Sequence, residues 1–190
     1  MQTRYLKNHF TYDGRQLSSL WAYLNHGLLG DSIVSWKGPC RVDFSHMVDG
    51  EDLREQARIE GDEMLHFVVE LFDRDLFAGV AVQRLMAAIS KDYIEKNAAV
   101  LQKGARLERR GDDIYFGKKK LSISIATKSP VSTMVHFAMN VTNRGTPVET
   151  CALGDDFGLE AERCASDLLA LLAGEIESCL QATRKVRPVP

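Results

Sequence analysis

Residues 121–127, LSISIAT, and 133–141, TMVHFAMNV, are two strand-like stretches joined by the short link Lys128–Ser132. Successive side chains of a strand point to opposite faces, so the strict alternation of the first stretch marks a half-covered strand. A link this short joins antiparallel neighbours, and the pair predicts a hairpin. Upstream, Arg106–Arg109 and Asp113–Phe116 read as further short strands set off by Gly111 and Gly117. Whatever this chain folds into must therefore hold an antiparallel sheet. Carried back through the three lysines, the alternation puts Lys118, Lys120, Ser122, Ser124 and Ala126 on one face. Leu121, Ile123, Ile125 and Thr127 fall on the other, which is expected to be core.

The flanking sequence supplies helices. Leu17, Leu20, Trp21, Leu24 and Leu28 recur at helical spacing within 15–29. Residues 32–36 and 40–48 read as strands broken by Gly38-Pro39, and Asp49-Gly50 as a turn before a polar helix start. Residues 62–72 (DEMLHFVVELF) and 76–103 carry the strongest helical patterns, with a stop at Gly104. Residues 142–158 are loop-rich, and 159–182 form a terminal helix with Leu168, Leu169, Leu172, Ile176 and Leu180 on one stripe. This segregated order predicts an α+β fold, a mostly antiparallel sheet packed by helices. The length suits a single domain, 1–190.

Charge and cysteine usage narrow the function. The net charge is −2, and Asp112 and Asp113 interrupt the only basic runs, Arg106–Arg110 and Lys118–Lys120, so nucleic acid is not an expected partner. No apolar run approaches the roughly 20 residues of a membrane span, and MQTRYLKNHF is too polar for a signal peptide. Cys40, Cys151, Cys164 and Cys179 lie far apart with no CxxC pairing, which fits reduced thiols in a cytoplasm.

Lys120, with small side chains on its face, is the first candidate binding residue. Its ammonium can pair with a phosphate or carboxylate while a chain lies over Ser122 and Ser124. Cys151 is a candidate nucleophile, because a neighbouring ammonium lowers a thiol pKa. Cys40, after Gly-Pro, is a second thiol candidate. His46, Asp49, His66 and Glu70 offer metal-ligand types, with His66 and Glu70 four residues apart on a helix face. The apolar context MLHFVVE instead favours His66 as a satisfied core histidine, and His136 likewise reads as structural.

GDDIYFGKKKLSISIAT resembles the central segment of biotin protein ligases, W-P-N-D-I-Y, four residues, then K-L-A-G. Asp112-Asp113-Ile114-Tyr115 aligns with Asn-Asp-Ile-Tyr, and Lys120-Leu121-Ser122 with Lys-Leu-Ala, without a gap. In that family the lysine contacts the biotin carboxylate and the acyl phosphate. Ala138-Met139-Asn140 stands where the family has Gly-Ile-Asn. Lipoyl (octanoyl) transferases are similar in three places: their L-N-V resembles Met139-Asn140-Val141, their catalytic P-C-G loop Thr150-Cys151-Ala152, and their V-T-Y-H-G-P Val34–Pro39. The departures are Ile123 for the glycine after Lys-Leu-Ala, Lys37 for the transferase histidine, and no glycine- and arginine-rich loop for ATP phosphates. Over its whole length the chain resembles a domain-of-unknown-function family, number 366, with relatives in the biotin/lipoate ligase superfamily.

The resemblance implies that superfamily's catalytic-domain fold. It also implies binding or transfer of a small carboxylate or acyl compound, biotin-, lipoate- or fatty-acyl-like, over the Lys120 strand. Lys120 and Cys151 would be catalytic, as in a cysteine/lysine acyltransferase. Asp113, Ser122, Ser124, Asn140, Lys37, Gly38 and Cys40 would bind ligand. A non-catalytic ligand-binding or regulatory protein on the same fold, and a metal-assisted hydrolase using His46, Asp49 and His66, are the alternatives. Neither a cofactor nor an oligomeric state follows from the sequence.

Overall fold

The structure is a computed structural model that describes residues 1–189, without the side chain of Lys103. Five strands form the main sheet in the order β1-β2-β3-β8-β7, where β1 is Gln2–Leu6, β2 Ser32–Val42, β3 Ile59–Phe72, β7 Ser122–Lys128 and β8 Ser132–Asn140. Only β1 pairs in parallel, with β2; the other pairs are antiparallel. A second small sheet joins β4 (Glu108–Arg110), β5 (Asp113–Phe116) and β6 (Lys119–Lys120). The helices are α1 (Trp21–His26), α2 (Gly50–Glu55), α3 (Leu76–Asn97) and α4 (Ala161–Arg184). The α+β class and the mostly antiparallel sheet are as expected. Among the described residues no helix is long and apolar enough to cross a membrane.

The expected helix at 62–72 is instead β3, the central strand. Its apolar residues face both ways: Leu65, Phe67, Val69 and Leu71 pack into one core cluster, Met64 and Val68 into another. A strand covered on both faces loses its alternation and reads as a continuous apolar run, which periodicity cannot tell from a buried helix. The expected helix at 15–29 shrinks to the single turn and a half of α1, entered through left-handed Leu20 (φ 63°) and closed by Gly27. The two expected strands around Gly38-Pro39 join into one, β2, with an irregular register between Gly38 and Cys40, and the strand expected over 40–48 stops at Val42, with Phe44–His46 a 3-10 turn. Proline lacks a ladder donor and is tolerated at such a bulge.

The two faces of the main sheet are covered differently. α3 and α4 close one, with Met86, Ile94, Leu168 and Leu172 packed against Ile33, Phe67, Phe137 and Met139. The N-terminal segment covers part of the other, where Phe10, Tyr12, Trp21 and Leu28 meet Val34, Trp36 and Val68. Gly38 permits this cover: a Cβ there would sit 2.1 Å from the Phe10 carbonyl oxygen.

The faces of β7 are the reverse of the expectation. Leu121 lies between β6 and β7, donating its N–H to Ile114 and accepting from Asn140. It is fully buried, and so is the neighbouring Ser122. The alternation therefore restarts at Ser122. Residues directly opposed in an antiparallel pair share a face. Ser122 and Ser124 oppose Met139 and Phe137 on the helix side, while Ile123 and Ile125 oppose Ala138 and His136 on the open side. The Ser122 hydroxyl accepts from the Ile114 N–H (2.9 Å). The Ser124 hydroxyl donates to Asp112 (2.7 Å) and accepts from Gln83 of α3 (2.9 Å). Both serines are thus spent inside the fold.

Candidate functional site

The uncovered part of the open face is a cavity of about 450 Å³. Met64, Ile123, Ile125 and His136 line its sheet side. The segment between β2 and β3, including His46, Asp49, Asp52 and Arg58, gives one wall, and Thr146–Val148 with Thr150 gives another. Asp112, Asp113 and Lys120 come from the small sheet. Of the expected site residues, Asp113, Lys120, Ser122, Ser124 and Asn140 line this cavity; Lys37, Gly38, Cys40 and Cys151 do not.

Lys120 stands opposite Tyr115 in the β5–β6 pair, and its Nζ lies 2.9 Å from Asp113 Oδ2. Burial pushes the Asp113 carboxyl above the usual carboxylate range, although the Lys120 ammonium and the Tyr115 hydroxyl pull it back. The Lys120 backbone is gripped on both sides: its N–H donates to Glu149, and its carbonyl accepts from Cys151 and from Asn140 Nδ2 (3.1 Å). Asn140 Nδ2 also donates to the Cys151 carbonyl (3.3 Å). Asn140 therefore clasps the Lys120 strand to the 149–151 loop. Its amide nitrogen is occupied by the fold.

Cys151 is brought beside the Lys120 backbone, and the cation that acts on its thiol is Lys119. The side chain is fully buried, its Sγ lies 3.6 Å from the Lys119 carbonyl, and burial, then the nearby Asp156 charge, pushes the thiol up to about 12. The expected activation by Lys120 is not what the geometry provides. Cys40 is equally buried, within β2, and desolvation takes its thiol to about 12. Lys37 is half exposed and reaches Glu63 at 3.6 Å.

The metal reading also lacks its geometry. His46 and Asp49 line the cavity, but Asp49 caps α2 by accepting from the N–H groups of Glu51 and Asp52. His66 is buried in the sheet face, and Glu70, four residues further along a strand, is about 13 Å away. Glu70 accepts from the Leu20 N–H and the Ser132 hydroxyl instead. Among the described residues, no three His, Cys, Asp or Glu gather as metal ligands.

His66 and His136 form a buried pair that the sequence reading treated as two separate core residues. His66 Nε2 is 3.0 Å from the Gly38 carbonyl, and His66 Nδ1 is 3.1 Å from His136 Nε2. Tyr12 stacks flat on His136, with centroids 3.5 Å apart and planes 5° apart, and Trp36 stacks on His66. Desolvation holds both imidazoles neutral: His66 falls to about 4, and His136 lies well below its usual range, with His66 adding to the effect. Tyr12, Glu51 and Asp52 are among the cavity residues that sequence reasoning missed, and His136, read as structural, lines the cavity as well. The hint for His136 was its place in the alternation beside Ala138; in the 43–58 wall only His46, Asp49 and the turn before α2 were signalled, and nothing marked Glu51 or Asp52.

Residues 1–187 match the family described as a domain of unknown function, DUF366. The protein MJ0805 of Methanocaldococcus jannaschii, named as uncharacterized, is 31% identical over 195 residues, spanning 100% of this chain and 86% of its own length. A protein of unknown function from Pyrococcus horikoshi superposes with TM-score 0.89 at 38% identity, over 99% of this chain and 100% of that one. Two more distant structures share the fold. The biotin protein ligase of Aquifex aeolicus, in complex with biotin and ATP, superposes with TM-score 0.58 at 14% identity, covering 93% of this chain and 70% of that one. Protein Ta0514 of T. acidophilum, with bound lipoic acid, gives TM-score 0.58 at 14% identity over 92% and 86%. The fold is thus that of the biotin/lipoate protein ligase catalytic domains, and the chain belongs to the DUF366 family.

Proposed function

We propose that this protein binds a small carboxylate or acyl compound non-covalently, with the acid end at Lys120 and the apolar body over Met64, Ile123 and Ile125. The observation that carries the reading is the Lys120–Asp113 pair at the cavity edge beside that apolar floor. A ligand carboxylate takes Lys120 over from Asp113. Burial already raises Asp113, so it can accept a proton as the ligand arrives. The biotin and the lipoic acid held by the two fold relatives support a ligand of this class.

Acyl transfer through Cys151 gains no support from a fully buried thiol pushed to about 12, since the thiolate is the nucleophile. The binding reading is therefore preferred to the enzymatic one. Native mass spectrometry with biotin, lipoate and octanoate tests it. A non-covalent complex that Lys120→Ala weakens at least about tenfold is expected, the scale of one charge-assisted hydrogen bond. A thioester on Cys151, or equal affinity in the variant, overturns it.

A further inference from the structure

His136 is 2% exposed, yet it lines the cavity. Its hydrogen-bonding state follows from its neighbours. The Gly38 carbonyl can only accept, so His66 Nε2 carries the proton of that 3.0 Å contact. The neutral His66 ring then has a bare Nδ1, so His136 Nε2 must donate across the 3.1 Å contact. That leaves His136 Nδ1 as a bare acceptor. It takes no hydrogen bond among the described residues, and the two nitrogens of an imidazole point to nearly opposite sides. With Nε2 turned to β3, Nδ1 is turned away from it, to the β7 side where the cavity lies. The nitrogen is not sealed off but open to the cavity, where whatever fills that space can donate to it.

The wall charges say what kind of donor. Asp49, Glu51, Asp52, Glu60, Asp112 and Asp113 line the cavity against Arg58 and Lys120. Asp113 pairs with Lys120, Glu60 with Arg58 and Asp112 with Arg84, which leaves Asp49, Glu51 and Asp52 with no ion-pair partner among the described residues. Burial and then the Asp49 charge push the Asp52 carboxyl up, and the Lys120 ammonium pulls it only part of the way back.

The geometry points to a ligand that carries, away from its acid end, a protonated nitrogen group, an amine or amidinium, whose N–H is accepted by His136 Nδ1 and whose charge is balanced by the Asp49–Asp52 wall. The inference rests on the binding reading above and adds the chemistry of the second end. The ligand class is then an amino acid in the broad sense, with carboxylate and cationic nitrogen separated by an apolar body.

The test compares ω-amino fatty acids, ω-hydroxy fatty acids and plain fatty acids over the same chain lengths, by calorimetry up to millimolar concentration. The best amino acid is expected to bind at least about tenfold more tightly than its plain and hydroxy counterparts, one charge-assisted hydrogen bond. Asp52→Asn should reduce that preference. In wild type the His136 Nδ1 nitrogen NMR signal should move from a bare to a hydrogen-bonded position with the amino acid only; a merely structural histidine would not respond. This readout does not depend on His136→Phe, which would strip His66 of its donor and could fail to fold. If plain acids bind as well as amino acids, or hydroxy acids match them, the cationic end is overturned while the binding reading stands. If no probe binds, both fall.

Discussion

The two faces of the five-stranded sheet solve different problems. The helix-packed face is closed by many interchangeable apolar contacts, with Phe67, Phe137, Met139 and Leu172 among them. The open face holds two neutral histidines in a stack of Trp36, His66, His136 and Tyr12, and each ring has few alternatives. A closed face of this sort makes stability, and its parts can be exchanged within limits of volume. The open face spends stability on polar groups that only a few partners can satisfy, which is what a binding surface requires.

The largest effect expected from this difference lies on the closed face. Phe67→Ala removes a fully buried ring from the central strand and should cost about 3–5 kcal/mol in urea unfolding. A loss below about 1 kcal/mol would mean that the helices do not lock this face. The open face should instead reveal itself by pH. His66 binds its proton less well folded, at about 4, than unfolded, near 6.5. Between those values the unfolded chain carries the extra proton, so stability rises with pH. It is full above about 6.5, falls as pH drops through this window, and loses roughly 3 kcal/mol by about 4. His136 adds in the same direction. Replacing His66 with Gln should flatten the slope, and an unchanged slope in that variant would assign the acid loss elsewhere.

How much of this could be read from the sequence differs in the same way between the faces. The terminal helix and most of α3 were legible, because Leu168, Leu172 and Ile176 repeat toward a single apolar partner. β3 was not, because apolar neighbours on both sides erase its period. The face of β7 was inverted because one residue, Leu121, steps out of the ladder, an event the pattern Lys-Leu-Ser-Ile-Ser-Ile does not announce. Lys120 was found from its strand pattern and then by resemblance, and Asp113 by resemblance, whereas Asp52 and His136 gain their positions only through long-range contacts. The partners that occupy Ser124, Gln83 and Asp112, and the clasp formed by Asn140, are likewise three-dimensional facts.

A smaller effect tests how the open face is covered. Gly38→Ala must displace the Phe10 backbone, since the added Cβ would approach its oxygen to 2.1 Å. Overpacking of this sort costs about 1–3 kcal/mol. The segment that carries Phe10 and Tyr12 should also exchange its amide hydrogens faster, while α3 keeps its protection. Uniform loosening of both would show that the two faces are not separable.

The smallest stability effect should coincide with the largest functional one, at Lys120. Its side chain is about a third exposed and, among the described residues, its one ion pair is with Asp113, so Lys120→Ala should cost no more than about 1 kcal/mol. The variant leaves Asp113 without its cation, so that carboxyl should rise further and titrate at higher pH. In wild type a carboxylate ligand that displaces Asp113 favours its protonation, because Asp113 left ionised would sit half-buried beside Asp112. Affinity for the acid probes should therefore increase as pH falls toward the raised Asp113 value, with proton uptake visible as a buffer-dependent calorimetric heat. Asp113→Asn removes both the competitor and the proton: it should bind the acids more tightly at neutral pH and lose the pH dependence. If that variant binds no better and keeps the same pH profile, the exchange at Lys120 does not occur, and the acid end of the ligand must be held elsewhere in the cavity.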